Sequence, residues 1–187
     1  MQSSLKSVTR KKVENEARIA RTLEPYQPFW LEDSTHVNYS ESWKRLTACS
    51  PVPICQGENL WRRQEFADFI VHQGCDILHP DLRNSGGFLE NKRIADIAEI
   101  WGLPMATHNT GSQLNTWATC HWAGSIRDFI ACETVTGKGD WMDELLILDG
   151  PYIENGHIRI TEKPGLGVDL DPDVARGHLA EGETWWA

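Results

Sequence analysis

The stretch PFWLED, from Pro28 to Asp33, joins a short apolar run to two carboxylates with no turn residue between them. Residues 28–31 have the length and composition of a buried β-strand. Glu32 and Asp33 then place charge at the carboxyl end of that strand. A single charge in this position is more often a helix cap or an ion-pair partner than a functional residue. The neighbouring segments decide between these two interpretations.

Four further apolar segments also end in polar, chemically useful residues. Together with Glu32, the strand-end residues are Glu58, Asp81, His108 and Glu133. The intervals between them are 26, 23, 27 and 25 residues, about one strand and one helix each. A helix cap or an ion pair readily explains one polar residue at a strand end, but it does not explain five of them at a regular spacing. The pattern therefore indicates a site that is shared by several strand ends.

The remaining pattern predicts strands that alternate with helices. Strands are predicted at 28–32, 51–58, 75–79, 103–107 and 129–132, and helices at 5–23, 42–48, 62–73, 86–101 and 112–123. Because no hairpins intervene, the strands should form a parallel sheet and the fold class should be α/β. Residues 140–187 are rich in Gly and Pro and predict an irregular tail with a hairpin around Asn155-Gly156.

A (β/α)₈ TIM-type barrel explains why the strand-end residues would meet. In that architecture the carboxyl ends of the parallel strands converge on one active site. Glu32 and Glu58 then offer hard oxygen ligands, which suit Mg²⁺ far better than Zn²⁺ or copper. Asp81 can fix the tautomer of His108 and raise its basicity, and Glu133 could stay protonated and donate a hydrogen bond. This equipment is suited to proton abstraction next to a carboxylate, through an enediolate.

Composition excludes several other classes of function. The 187-residue chain is about one domain long, and its net charge of −9 argues against a nucleic-acid or anionic-membrane surface. No segment is long and apolar enough to be a membrane span or a signal peptide. The five cysteines contain no CxxC pair, which favours reduced thiols in a cytoplasmic protein.

Several segments resemble the enolase superfamily. They are GEN at 57–59, DILHPDLRNSGG at 76–87, GLPMATHNTGS at 102–112, ACE at 131–133 and TEKPGLGVDLD at 161–171. The chain is most similar to the mandelate racemase and acid-sugar dehydratase subgroup, over about residues 14 to 180. The resemblance implies Mg²⁺ as cofactor, a sugar acid as substrate, and dehydration through the enediolate. A racemase or cycloisomerase of the same superfamily is the alternative activity.

The resemblance also implies a role for each strand-end residue. Glu32 and Glu58 correspond to metal ligands, and Asp81 with His108 to the dyad that serves as general base or acid. Glu133 would hydrogen-bond the substrate carboxylate. Two neighbouring residues, Asn59 and Asn109, would touch substrate, although ordinary loop hydrogen bonding is an equal alternative. His79 is expected to be a packing or surface residue.

The chain departs from the family pattern at its N-terminal side. It resembles only about strands 4–8 of the barrel (residues 1–139) and the tail (140–187), without the capping domain and the first strands. The first metal ligand should precede Glu32 by about one strand–helix unit, where the sequence around Lys6 contains no acid. Asp33 could substitute, but on an extended strand its side chain should point away from Glu32.

Two alternatives follow for the chain as a whole. The first is an enzyme whose barrel is completed by a complementing N-terminal half or by a homo-oligomer. The second is a catalytically inactive, truncated fragment that binds nothing tightly. An open parallel sheet exposes a strand edge, which favours association in either case.

Overall fold

The computed structural model describes residues 2–134 and 141–185, with side chains from residue 12 onward. The chain divides into two compact units. The first unit contains Met1–His108 and Ile126–Ala131, and the second contains Asn109–Ser125 and Cys132–Ala187. The predicted boundary between residues 139 and 140 lies outside the described residues and stays a prediction.

A five-stranded sheet forms the centre of the fold. Its strands, in both chain order and spatial order, are β1 (Leu31–Glu32), β2 (Ile54–Gln56), β3 (Ile77–Leu78), β4 (Met105–Thr107) and β5 (Phe129–Cys132). The pairs from β1 to β4 are parallel, with Glu32 opposite Cys55 and Cys55 opposite Ile77. The predicted α/β class is confirmed, because each strand lies beside the next one along the chain, as the strands of a (β/α)₈ barrel do.

The first strand is shorter than the predicted 28–32. Among the described residues, β1 pairs only with β2, through hydrogen bonds such as the one from the Leu31 N–H to the Pro53 carbonyl oxygen at 2.8 Å. Phe29 is exposed and contributes no pairing, and Asp33 ends the strand with a left-handed backbone, φ 48°. The left-handed turn at Asp33 therefore sets the carboxyl end of this strand.

The first unit has four α-helices close to their predicted bounds, of which the first precedes β1 and the other three lie between successive strands. They are α1 (Gln2–Leu23), α2 (Glu41–Cys49), α3 (Arg62–Val71) and α4 (Gly87–Ile100). Gly102 ends α4 with φ 67°, because the N–H of Leu103 then reaches the Ala98 carbonyl at 3.0 Å. No helix among the described residues combines the length and apolar character that a bilayer span requires.

The core of the first unit lies between the sheet and these helices. Its largest fully buried side chains include Trp43, Leu46, Phe66, Phe69 and Ile70. The rings of Trp43 and Phe69 meet edge to face at 5.4 Å, which joins α2 to α3. On the sheet itself, Cys55, Ile77 and Ala106 form a small apolar cluster against which Trp30 packs.

The second unit combines the fifth helix with the tail. It contains α5 (Gln113–Ala123), the antiparallel strands β6 (Leu146–Ile147) and β7 (Asp169–Leu170), and α6 (Pro172–Gly177). The buried Gln113 side chain bonds the Asp143 carbonyl at 3.1 Å and the Leu146 N–H at 3.0 Å, so α5 is tied to the tail.

The predicted hairpin around Asn155-Gly156 forms only at its tip. Asn155 and Gly156 have φ values of 52° and 75°, as a tight two-residue turn requires. Glu154 and His157 exchange two backbone hydrogen bonds of 2.9 and 3.0 Å. Pairing stops there, since the bridge between these two residues is isolated.

Candidate active site

Asp81 and His108 are brought together at the ends of β3 and β4. Their backbones form an isolated parallel bridge, and His108 Nδ1 lies 3.0 Å from Asp81 Oδ2. The Asp81 side chain is completely buried, whereas that of His108 is 13% exposed. The imidazole is therefore held by a carboxylate that solvent does not reach, while part of its own ring stays accessible.

The Asp81 carboxylate is held in its ionised form by several donors. Oδ1 accepts hydrogen bonds from the backbone N–H groups of Arg83 (2.8 Å) and Asn84 (3.1 Å), and Oδ2 accepts one from Arg83 Nη2 (3.1 Å). Burial by itself would raise the pKa of Asp81, but the bonds from His108, Arg83 and Asn84 outweigh it and lower the pKa. Sequence reasoning missed Arg83, although its position two residues after Asp81 is typical of a local side-chain partner.

Glu58 lies on the other side of the His108 ring. Its Oε2 atom is 3.3 Å from His108 Nε2. Because an ionised Asp81 can only accept hydrogen bonds, the Nδ1 atom of His108 carries a proton, and Nε2 is the nitrogen that can exchange one. The accessible nitrogen of the dyad therefore faces a predicted metal ligand.

Glu32 is bound by a histidine that the sequence did not mark as functional. Glu32 Oε1 lies 3.0 Å from His79 Nδ1, and Oε2 accepts a hydrogen bond from Trp30 Nε1 at 2.9 Å. Burial would raise the pKa of Glu32, but the hydrogen bond and charge of His79, together with Trp30, lower it. His79 was expected to be a packing or surface residue. It is buried, and its position two residues before Asp81 on an extended segment was the available signal for a shared face.

Asp33 lies beside Glu58, and the expectation that its side chain points away from Glu32 stays a prediction. The left-handed backbone at Asp33 ends the extended conformation on which that expectation rested. The amide of Asn59 donates to Asp33 Oδ2 at 2.9 Å and to Glu58 Oε1 at 2.8 Å. Burial, followed by the charge of Glu58, raises the pKa of Asp33 to about 6.

These carboxylates offer the oxygen ligands that suit a hard divalent cation, although their oxygens do not all lie within 4.8 Å of one another. Asp33 Oδ1 is buried and has no hydrogen-bond partner among the described residues, so it can accept a further donor or a ligand. Burial and then the neighbouring carboxylates raise the pKa of Asp33, and a bound cation would offset the repulsion between the carboxylates. The donor set of Glu32, Asp33 and Glu58 consists of oxygens only, as Mg²⁺ prefers.

Asn109 and Glu133 belong to the second unit. Glu133 Oε2 accepts a hydrogen bond from the Asn109 N–H at 2.9 Å. The buried Asn109 side chain donates to the Glu133 carbonyl at 3.1 Å and to Thr116, and its oxygen accepts from the Gly111 N–H at 3.1 Å. Its amide is thus engaged in loop hydrogen bonds. The predicted substrate contacts of Asn59, Asn109 and Glu133 stay predictions.

Comparison with known proteins places this arrangement in a family. The family model for enolase C-terminal domain-like proteins matches residues 9–174. Among curated proteins, the D-xylonate dehydratase of Haloferax volcanii is 38% identical over 167 residues, which cover 89% of this chain and 40% of that protein. The D-galactonate dehydratase of Ralstonia nicotianae is 31% identical over 172 residues, covering 89% of this chain and 45% of that protein.

Solved structures agree with the sequence relatives. A mandelate racemase/muconate lactonizing enzyme-like protein from Rubrobacter xylanophilus superposes with a TM-score of 0.88 at 32% identity. The match covers 94% of this chain and 45% of that one. The chain thus spans less than half the length of the curated relatives described above. The matched family model and the shared fold together show that this chain belongs to the enolase C-terminal domain-like family of the enolase superfamily.

Proposed function

We propose that this chain supplies the base and two or three metal ligands for Mg²⁺-dependent proton abstraction next to the carboxylate of a sugar acid. The observation that carries the proposal is the buried Asp81 carboxylate behind His108, with Glu58 at the opposite nitrogen of the ring. The names of the relatives, D-xylonate and D-galactonate dehydratase, support a sugar acid as substrate and dehydration as outcome.

In this proposal His108 moves the proton through its Nε2 atom. Asp81 holds Nδ1 and stabilises the imidazolium that forms when Nε2 takes the α-proton. The 3.3 Å contact between His108 Nε2 and Glu58 would have to open for that transfer, because Nε2 must face the substrate carbon. If the β-hydroxyl then leaves with a proton as water, the product is a dehydrated acid. If the proton returns to the opposite face, the reaction is a racemisation.

Glu32, Glu58 and Asp33 are the residues that would hold Mg²⁺, and the bound ion would supply positive charge beside the substrate carboxylate. The Asp33 carboxylate, with its unpartnered Oδ1, would take the place of the acid that is absent near Lys6. Glu133 would hydrogen-bond the substrate carboxylate, as the resemblance implies.

The test is exchange of the α-proton with solvent deuterium, followed by NMR. D-Xylonate, D-galactonate and D-gluconate would be incubated with the chain and Mg²⁺. The chain would be assayed by itself and after mixing with the N-terminal half of a full-length relative. His108→Asn should lower exchange by about 10²–10⁴-fold, the usual contribution of a positioned acid–base group. His72→Asn, an exposed histidine that stacks on Tyr39, is the matched control and should leave exchange unchanged.

Two outcomes would contradict the proposal. Exchange that survives His108→Asn would assign the base to another residue. No exchange under any of these conditions, from a chain with a cooperative unfolding transition, would favour the inactive fragment. The open edge of β1 is consistent with an incomplete barrel, since β1 pairs on one side only within the described part of the chain.

A further inference from the structure

We propose that Glu32, Cys55 and His79 form a second metal site, selective for a thiophilic divalent cation such as Zn²⁺. One ligand atom from each of these residues lies within 4.8 Å of the other two. The set contains a carboxylate oxygen, a thiol sulfur and an imidazole nitrogen. It is therefore chemically distinct from the oxygen ligands of Glu32, Asp33 and Glu58.

The sheet register brings the three residues to one face. Glu32 on β1 is directly opposite Cys55 on β2, and Cys55 is opposite Ile77 on β3. Laterally paired residues of a sheet point to the same face, and so does the residue two positions further along an extended segment. His79 is two positions after Ile77, so its side chain shares the face of Glu32 and Cys55. The juxtaposition is thus a consequence of strand pairing between three separate segments.

The donor set matches the preference of Zn²⁺ and not that of Mg²⁺. Zinc binds thiolate, imidazole and carboxylate in tetrahedral sites, whereas Mg²⁺ requires oxygen ligands in octahedral geometry. The 3.0 Å distance between His79 Nδ1 and Glu32 Oε1 is suitable for two ligands of one ion. Cys55 is fully buried and His79 nearly so, while the Glu32 side chain is 29% exposed. An ion would therefore enter from the Glu32 side, where water could complete its coordination.

Binding at this site displaces protons. The cation takes the place of the hydrogen between His79 Nδ1 and Glu32 Oε1. In a neutral His79 that single ring proton moves to Nε2, and in an imidazolium the Nδ1 proton is released to solvent while the Nε2 proton stays. The Cys55 thiol loses its proton to solvent as the metal–sulfur bond forms, because the thiolate is the ligand. No oxidant or reductant is involved, and the ion keeps its charge of +2.

The site has a functional consequence because it shares Glu32 with the proposed Mg²⁺ site. A thiophilic cation on Glu32, Cys55 and His79 withdraws one carboxylate from the hard cation. Excess Zn²⁺ should then inhibit a Mg²⁺-dependent reaction. This consequence rests on the proposed function, whereas the existence of the thiophilic site does not.

The experiment uses Co²⁺ as a spectroscopic substitute for Zn²⁺, added to the reduced chain without substrate. Thiolate ligation should produce a sulfur-to-cobalt charge-transfer band in the near ultraviolet, and Zn²⁺ should abolish it by competition. Cys55→Ser should remove the band. Cys75→Ser is the matched control, because Cys75 is also buried but lies outside the cluster, and it should keep the band.

Further variants separate the two sites. His79→Gln removes a proposed metal ligand, so it should weaken Zn²⁺ binding by more than about 10–100-fold. That range is the usual cost of losing a residue that only hydrogen-bonds a ligand. Asp33→Asn should keep the cobalt band and weaken only Mg²⁺ binding, so failure of the Mg²⁺ proposal is distinguishable from failure of this one. Absence of a charge-transfer band in the wild-type chain, or a band that survives Cys55→Ser, would overturn the proposal. If Cys55→Ser does not fold, zinc X-ray absorption of the wild-type chain decides, because a shell without sulfur also overturns it.

Discussion

Replacement of Asp81 by Asn tests the electrostatic basis of the dyad directly. The side-chain oxygen of Asn can keep the backbone bonds from Arg83 and Asn84. Its NH₂ group then occupies the place of Oδ2, where it faces two donors, His108 Nδ1 and Arg83 Nη2. Asp81 is completely buried, so water cannot compensate for the lost acceptor. The substitution therefore removes two charge-assisted bonds without changing the size of the side chain.

The size of the effect follows from these two bonds. A hydrogen bond to a charged group contributes about 1.5–3 kcal/mol. The bond to His108 should contribute that full amount to the free energy of unfolding. The bond to Arg83 should contribute only about 0.2–1 kcal/mol, because the Arg83 side chain is 51% exposed. We expect Asp81→Asn to lower the free energy of unfolding by about 2–4 kcal/mol at pH 7. The fall would be smaller if His108 changes tautomer and accepts from the new amide.

The pH dependence gives a second, independent readout. The folded-state pKa of Asp81 lies below its unfolded value, so the carboxylate stabilises the folded chain fully above the unfolded pKa of about 4. That stabilisation is lost as the pH falls towards the folded pKa. The difference between wild type and Asp81→Asn should therefore shrink as the pH falls below about 4.

Urea unfolding followed by circular dichroism measures both effects, and ¹⁵N NMR of His108 reports its tautomer. Asp96→Asn is the control, because Asp96 pairs with Lys92 on an exposed helix face and should change stability by less than about 0.5 kcal/mol. α-Proton exchange should fall in Asp81→Asn but less than in His108→Asn, since an orienting group is lost and not the base. An Asp81→Asn chain as stable as wild type at pH 7, with His108 still protonated on Nδ1, would refute the reasoning.

Three further predictions concern other parts of the chain. In metal-free buffer, Asp33→Asn should raise the free energy of unfolding by about 1–2 kcal/mol at pH 8 and leave it unchanged at pH 4. The pKa of Asp33 in the folded chain is raised to about 6, so the folded chain loses stability as the pH rises through that value. Urea titrations at both pH values measure the difference. Gly102→Ala should lower the melting temperature at a cost of about 1–2 kcal/mol, because Gly102 has φ 67°, while Gly177→Ala, a helical position in open space, should not. Phe69→Ala should cost about 3–5 kcal/mol in urea unfolding as its buried ring contacts are lost, whereas Phe88→Ala, at a position that is 47% exposed, should cost much less.

Local patterns in the sequence predicted the fold because each of them carries its own physical cause. Helix α4 begins at Gly87 and ends just before Gly102, since glycines at these positions accept positive φ angles. Strand β5 was predicted at its observed bounds from one apolar run. The regular spacing of strand ends predicted that Asp81 and His108 would meet, because parallel strands present their carboxyl ends at one edge.

Tertiary structure alone decided how the side chains at that edge are partnered. The turn at Asp33, the bond from His79 to Glu32 and the place of Cys55 beside both depend on contacts between residues 23 to 47 positions apart. Nothing local in the sequence encodes such contacts. Propensity and periodicity act over one helix or strand, whereas hydrogen bonds and ligand sets form between whichever side chains the strand register brings together. For this reason the sequence determined the family and the strand-end residues, whereas the strand register brought His79 to Glu32 and the turn after β1 brought Asp33 to Asn59.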